Sequence, residues 1–293
     1  MKRRRKYRDI IKHISTLQMT QPDREGEMTG EDIFADLTQG RGSSLFLGTY
    51  SRRGILFALK KLGILAELEA RGLDNISVEI DTSEPFRHRL RLCHREAGTE
   101  YLVVEAVLRR GTFSFPDSIT VPLSRQRYDI LVVEWLLLQN PLRPFTEERP
   151  RLPGQDHPGL GLMEETGEIL YWVGRRARAD GVLMVPKYLH AAYVYSQDFL
   201  FVSPRFQALM ERADRQLFRK YPMARVAWAI EEGAVFNRRD ASTLTWTPSE
   251  MILPVSKALQ GYFYSNAYRT QVGRSKQEFD FALVHNASEV GVP

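Results

Sequence analysis

The chain has 293 residues, with 41 Lys and Arg against 36 Asp and Glu for a formal charge of +5, and it is 43% hydrophobic and 26% charged. That balance excludes a disordered or fibrous protein and supplies enough material for a sizeable core, while the single cysteine, Cys93, excludes an intrachain disulfide and a Cys-rich zinc module. Setting aside Lys2, Arg3, Arg4, Arg5, Lys6, Arg8, Lys12 and Asp9 leaves 34 basic and 35 acidic residues, so the positive excess belongs to one end and not to the body.

Residues 2–18 predict a basic amphipathic helix, because Tyr7, Ile10, Ile11, Ile14 and Leu17 form one apolar stripe. Lys12 and His13 interrupt the apolar run that a signal peptide needs. Ile130–Leu138, the most apolar stretch, contains Glu134 and is too short to span a bilayer. No membrane span and a reducing, cytoplasmic location are therefore expected. A Gly- and Pro-punctuated linker follows the helix, so residues 1–42 read as an arm.

The body opens with a helical region over Ser51–Arg71, punctuated by Gly63 and Gly72, which reads equally as one helix or as two. The period then changes to two: Ile76, Val78 and Ile80 alternate with polar residues, as do Leu90 and Leu92, and Tyr101–Leu108 continues the pattern. Asp129–Leu138 is apolar on both faces and predicts the central strand of a sheet. Five prolines between Pro141 and Pro158 then exclude helix and central strand. After Gly159-Leu160-Gly161 come a helix to about Ala179, a strand at Val182–Val185, a helix at His190–Ser196 and a strand at Phe199–Val202. Arg205–Tyr221 predicts a helix opened by Ser203-Pro204. Strands are predicted at Val226-Trp228-Ile230, Val235-Phe236 and Leu244–Trp246. The expected architecture is α/β (α+β), a mixed central sheet flanked by helices over 43–222, with a β-rich C-terminal extension over 223–293.

A strand, a glycine turn and a helix in succession make an anion site, since glycines admit a ligand to the backbone and the free N–H groups of the first helical turn face it. Gly159-Leu160-Gly161 fits that arrangement. A P-loop is excluded because Leu162-Met163-Glu164 replaces Gly-Lys-Ser/Thr. A dinucleotide fingerprint is disfavoured, because Glu164 stands where the third glycine belongs and Asp180 precedes its strand. The stretch Asp129–Val202 resembles the GNAT superfamily of acyl-CoA N-acyltransferases. In that family a central strand leads to a Q/R-x-x-G-x-G/A turn, then a helix, a strand, and a helix with a tyrosine ahead of Gly-Phe. Asp156-His157-Pro158-Gly159-Leu160-Gly161 lies on the turn motif, Ala191 and Tyr195 on the tyrosine helix, and Phe199 on the phenylalanine. The departures are Asp156 in place of Gln or Arg, the proline-rich insertion, Asp198 in place of Gly, and Glu164 and Glu165 in the first helical turn.

The resemblance implies an N-acyltransferase that takes acetyl-CoA or another acyl-CoA and a small-molecule or protein amine. Gly159, Leu160, Gly161 and Leu162 would hold the pyrophosphate, Tyr195 would protonate the departing thiolate, and Glu134 would be the base. His157 and His190 are candidate substrate-facing groups. No metal is expected: His88 and His94 share a strand face, Cys93 points away, and no third ligand is near. The alternative reading is a non-catalytic GNAT-like protein that binds a macromolecular partner, or a second copy of the chain, through its basic arm and its aromatic tail. The tail interleaves Tyr262, Phe263, Tyr264 and Tyr268 with Arg269, Arg274 and Lys276, a pattern that can stack bases but more often packs rings inward, so nucleic acid is disfavoured.

Overall fold

The computed structural model describes residues 10, 12–20 and 45–283. Elements in chain order are α1 (Thr16–Met19), α2 (Arg52–Lys61), α3 (Ile64–Glu69), β1 (Ile76–Glu84), β2 (Arg87–Glu96), β3 (Thr99–Phe113), β4 (Tyr128–Leu138), α4 (Met163–Arg176), β5 (Gly181–Met184), α5 (Leu189–Tyr195), β6 (Leu200–Phe201) and α6 (Pro204–Ala213). A π-helical turn (Asp214–Phe218) follows, then α7 (Met223–Glu231), β7 (Val235–Asn237), β8 (Ser242–Thr243), β9 (Met251–Pro254), α8 (Lys257–Phe263), α9 (Asn266–Ser275), a 3-10 turn (Lys276–Glu278) and β10 (Phe281–Leu283). The fold is mixed α/β, with a seven-stranded sheet in the order β1-β2-β3-β4-β5-β9-β6 and a three-stranded sheet in the order β10-β7-β8. β4 is the central strand, as its two apolar faces predicted. Among the described residues no helix is long and apolar enough to cross a membrane.

The chain forms two compact units that interleave along the sequence. The first comprises the chain up to Gly111, then Leu131–Pro144 and His157–Val173; the second comprises Thr112–Ile130, Phe145–Asp156 and everything from Gly174. Residues 223–283 thus belong to the same unit as 174–222.

In the first unit, β1 and β2 pair antiparallel with Ile80 opposite Leu90, and β2 and β3 pair with Leu90 opposite Ala106. Gly63, at φ +74°, starts α3 in the left-handed region and separates it from α2, so the region that reads equally as one helix or two is two. The arm helix differs from expectation. It is interrupted at Ile14-Ser15, because Ser15 and Gln18 cap each other's backbone: Ser15 N–H donates to Gln18 Oε1 and Gln18 N–H to Ser15 Oγ (2.9 and 3.2 Å). Ile14 and Met19 are buried, and the Met19 carbonyl accepts both Ser51 N–H (2.9 Å) and Ser51 Oγ–H (3.2 Å). Only Gly54 permits this seat, since a Cβ there would lie 2.1 Å from the Met19 oxygen. Lys2–Lys6, and most of the predicted arm, lie outside the described residues.

In the second unit, three elements depart from the periodicity. Val226-Trp228-Ile230 alternates like a strand but belongs to helix α7. Val226, Ala227, Ala229 and Ile230 are buried, which is helical spacing once the alanines are counted as core, whereas Trp228 is 41% exposed. Leu244–Trp246 adds no strand: Leu244 is buried and Trp246 Nε1–H donates to the Pro186 carbonyl (3.2 Å). The predicted helix over Arg205–Tyr221 changes to π geometry at Asp214. The extension after 223 is therefore not β-rich, because α7, α8 and α9 outweigh its short strands.

Candidate functional site

β4 starts inside the protein and ends in the open. Ile130, Leu131 and Val133 are buried, Glu134 and Trp135 are exposed (Trp135 51%), and Leu136, Leu137 and Leu138 are half-buried. A central strand ordinarily covers such leucines on both faces. Leu136 and Leu138 lie on one face of the strand and Leu137 on the other, so the partial exposure of the first two leaves a short apolar track at the end of β4, next to the glycine turn.

The backbone joins track to turn directly. Gln139, one residue beyond β4, forms an antiparallel bridge with Gly159, and Asn140 N–H donates to the Pro158 carbonyl (2.7 Å). The proline-rich excursion is thus closed at its base like a long hairpin. Arg71, just after α3, reinforces the closure: its Nε–H donates to the Leu160 carbonyl (3.1 Å), and its own carbonyl accepts from Asn140 Nδ2 (3.1 Å). Arg71 also pairs with Glu67 (2.7 Å). Leu160 and Leu162 anchor the turn in the core while Gly161 between them is exposed. Gly161 has φ +70°, and a Cβ placed on it would meet no atom within 4 Å, so open space lies in front of the turn. Immediately beyond, the 14-residue helix α4 begins, with Glu164 and Glu165 in its first turn and Arg175 and Arg176 in its last, which matches the helix dipole at both ends. Glu165 is only 3% exposed, so its carboxylate does not share the solvent in front of Gly161 as Glu164 can.

Glu134 is the centre of a cross-strand clamp. Its two carboxylate oxygens accept from Arg87 Nε on β2 (2.6 Å) and Arg109 Nε on β3 (2.7 Å). Arg87 and then Arg109 hold the carboxyl below its ordinary range, so Glu134 stays ionised but is a weak base. It also stands five residues before Gln139, about 17 Å along the strand from the turn. His157 is half-buried beside the turn.

The other two candidates belong to the second unit. Tyr195 is the last residue of α5. Burial pushes its phenol up to about 12, its ring meets Phe199 edge-on at 6.2 Å, and its carbonyl accepts from both Asp198 and Phe199 N–H (3.0 Å each). His190 is 7% exposed and stacks on Tyr188 (5.3 Å between centroids, 19° between planes). Burial pulls it down to about 4, so it is neutral at physiological pH and packs as an aromatic residue. Tyr188 in turn lies over Gly154, where a Cβ would come within 2.4 Å of its ring.

Residues weighed for other chemistries are occupied. Asp180 Oδ2 accepts from Asp129 N–H (3.0 Å) and Arg125 (3.3 Å), and its backbone carbonyl accepts from Val255 and Ser256. It is a structural node. His88 Nδ1 accepts Leu47 N–H (2.7 Å), and His94 Nδ1 lies 2.5 Å from the Asp74 carbonyl. Cys93 lies close to Glu79 and Glu100. However, Arg95 binds Glu100 (2.7 Å) and reaches Glu79 (3.7 Å), so a guanidinium already sits where a cation would balance those charges.

The features that residue types alone did not reveal are the exposure of Leu136–Leu138, the two arginines on Glu134, and Arg71 at the turn. A triple leucine ending a strand signals burial more readily than a track, and Arg71 lies 89 residues upstream of its partner Leu160. No family model matches the chain, and no curated protein matches it. Among solved structures, one described as "Crystal structure of bacterial toxin" aligns with a TM-score of 0.29 and 8% identity, covering 72% of this chain and 84% of that one. A likeness at that level carries no argument about this chain.

Proposed function

We propose that the chain is a GNAT-like N-acyltransferase whose first unit binds an acyl-CoA. The observation that carries this reading is the half-exposed apolar end of β4, Leu136–Leu138, running through Gln139 into a glycine turn with open space at Gly161 and a 14-residue helix behind it. An apolar, chain-like ligand segment suits the track, and a diphosphate suits the amides of Gly159–Leu162 at the positive end of α4. Burial of Glu165 leaves Glu164 as the acid facing that anion. The reading assigns no proton transfer to Glu134, because two guanidiniums already hold its charge. Tyr195 belongs to the second unit, where burial raises its phenol to about 12 and keeps it protonated at neutral pH, and this reading places it in no step. The acceptor is an amine, and the setting is cytoplasmic.

Thermal unfolding with and without acetyl-CoA, propionyl-CoA and a long-chain acyl-CoA tests the binding step. A donor present at a hundredfold over its Kd stabilises by about 2.7 kcal/mol. No shift with any of them ends the reading. Leu138→Glu, which puts a charge on the track, should remove the shift.

A further inference from the structure

A cavity in the second unit lies where the π turn meets the small sheet. Its volume is about 140 Å³, and it is lined by Gln216, Lys220, Tyr221, Arg238, Asp280 and β10. That is roughly tenfold the ~15 Å³ needed to hold one water.

The backbone fixes where both cations start. Arg238 follows β7 and its N–H donates to the Asp280 carbonyl (2.9 Å), extending the pairing of β7 with β10. Lys220 follows the π turn, in which Arg219 N–H reaches back five residues to the Asp214 carbonyl (3.0 Å). The extra residue of a π turn rotates everything after it by about 100° relative to a continued α-helix. Lys220 and Tyr221, the residues just beyond that turn, line the cavity. π turns in long helices are costly and concentrate at working sites.

Lys220 and Arg238 face one small space, and among the described residues neither has a carboxylate at ion-pair distance. Arg219, next to Lys220, does pair with Asp214 (2.7 Å). The one acid in the lining, Asp280, is held by Gln216, whose Nε2–H donates to Asp280 Oδ1 (2.8 Å) while its Oε1 accepts Phe281 N–H (2.9 Å). Two positive charges against one leave a net +1 in a concave wall that Tyr221 also lines. Like charges held together without a counter-ion favour an anion in the shared space.

We propose that this cavity binds a small phosphate-type oxyanion, held between Lys220 and Arg238. The site is separate from the coenzyme A reading and stands or falls independently of it. Calorimetric titration of the full chain with inorganic phosphate and with glycerol 3-phosphate, against sodium chloride at equal ionic strength, is the test. Phosphate should bind saturably where chloride does not. Binding of the ester as well marks a phosphoryl group on a small molecule as the natural occupant, and binding of phosphate alone marks the free ion. Lys220→Gln/Arg238→Gln should weaken phosphate at least tenfold with an unchanged circular dichroism spectrum, and Lys220→Arg should restore part of it. Absence of phosphate-specific heat, or equal affinity in the double variant, overturns the proposal.

Discussion

Three buried tyrosines make opposite predictions under one substitution. β6 ends the seven-stranded sheet and pairs only with β9, so its outer backbone groups need other partners. Side chains supply them: Tyr268 O–H donates to the Phe201 carbonyl (2.6 Å), Tyr262 O–H donates to the Val202 carbonyl (2.7 Å), and Phe201 N–H donates to Gln207 Oε1 (3.1 Å). Burial pushes both phenols up, so they remain protonated donors. Tyr128 is equally buried, but its hydroxyl has no hydrogen-bond partner among the described residues. Tyr262→Phe and Tyr268→Phe each remove a bond of about 1 kcal/mol net, rising toward ~3 because a buried carbonyl is left unpaired. Tyr128→Phe removes an uncompensated hydroxyl and should be neutral or stabilising by up to about 1 kcal/mol. Urea unfolding followed by tryptophan fluorescence reads all three midpoints. The double variant should show coupling, since the Tyr262 and Tyr268 rings touch (5.2 Å between centroids). If Tyr262→Phe and Tyr268→Phe unfold no earlier than Tyr128→Phe, hydroxyl capping of the β6 edge is refuted.

Further expectations follow from single contacts. His190 is held neutral by burial at about 4 against 6.5 in the unfolded chain, so its stabilising effect is complete above pH 6.5 and lost as pH falls toward 4, by about 3 kcal/mol. His190→Phe should keep the stack on Tyr188 and flatten the stability profile over that range; an unchanged slope contradicts it. Gly54→Ala places a methyl on the Met19 carbonyl and should unseat Ile14 and Met19, lowering stability by roughly 2–4 kcal/mol in chemical denaturation. Glu134→Gln removes the partner of two partly exposed arginines and should cost under about 1 kcal/mol. Under the proposed acyltransferase reading, transfer should stay within a few-fold of the parent, and a hundredfold loss would restore Glu134 as the base.

The central strand and the two helices that follow it, read from the glycine turn to about Ala179 and over His190–Ser196 and found at Met163–Arg176 and Leu189–Tyr195, were legible in the sequence from local periodicity, whereas Gly63 left open whether the first helical region is one helix or two. The misses have two causes: a local signal of small or polar residues that the large apolar residues mask, and a deciding partner that is distant in sequence. Val226-Trp228-Ile230 alternates, but small alanines between these residues are buried, and only packing reveals that Ala227 and Ala229 are core. Ser15 and Gln18 could have been recognised as a capping pair, yet the apolar stripe through Ile14 and Leu17 outweighed it. Of the site, the turn Gly159–Leu162 was visible as a motif, while its closure by Arg71 and Asn140 depends on contacts 69 to 89 residues apart.

The run of aromatic and basic residues near the end of the chain shows how composition can point the wrong way. Tyr262, Phe263 and Tyr268 are buried, and with Phe115 they form edge-on and tilted contacts of 4.3–5.6 Å. A stacking platform for bases needs accessible ring faces, and these rings lie against one another, with two of their hydroxyls committed to β6. Lys276 is paired with Glu211. Tyr264 alone of the four aromatics is exposed. The tail therefore finishes a sheet edge, and a short strand such as β6 could not keep its carbonyls dry without it. The same constraint places the charges: on α9, Tyr268 and Val272 face inward, so Arg269 and Arg274 turn to solvent. Interleaving of rings and cations is what an amphipathic helix with an aromatic inner face requires, whether or not any polyanion exists to meet it.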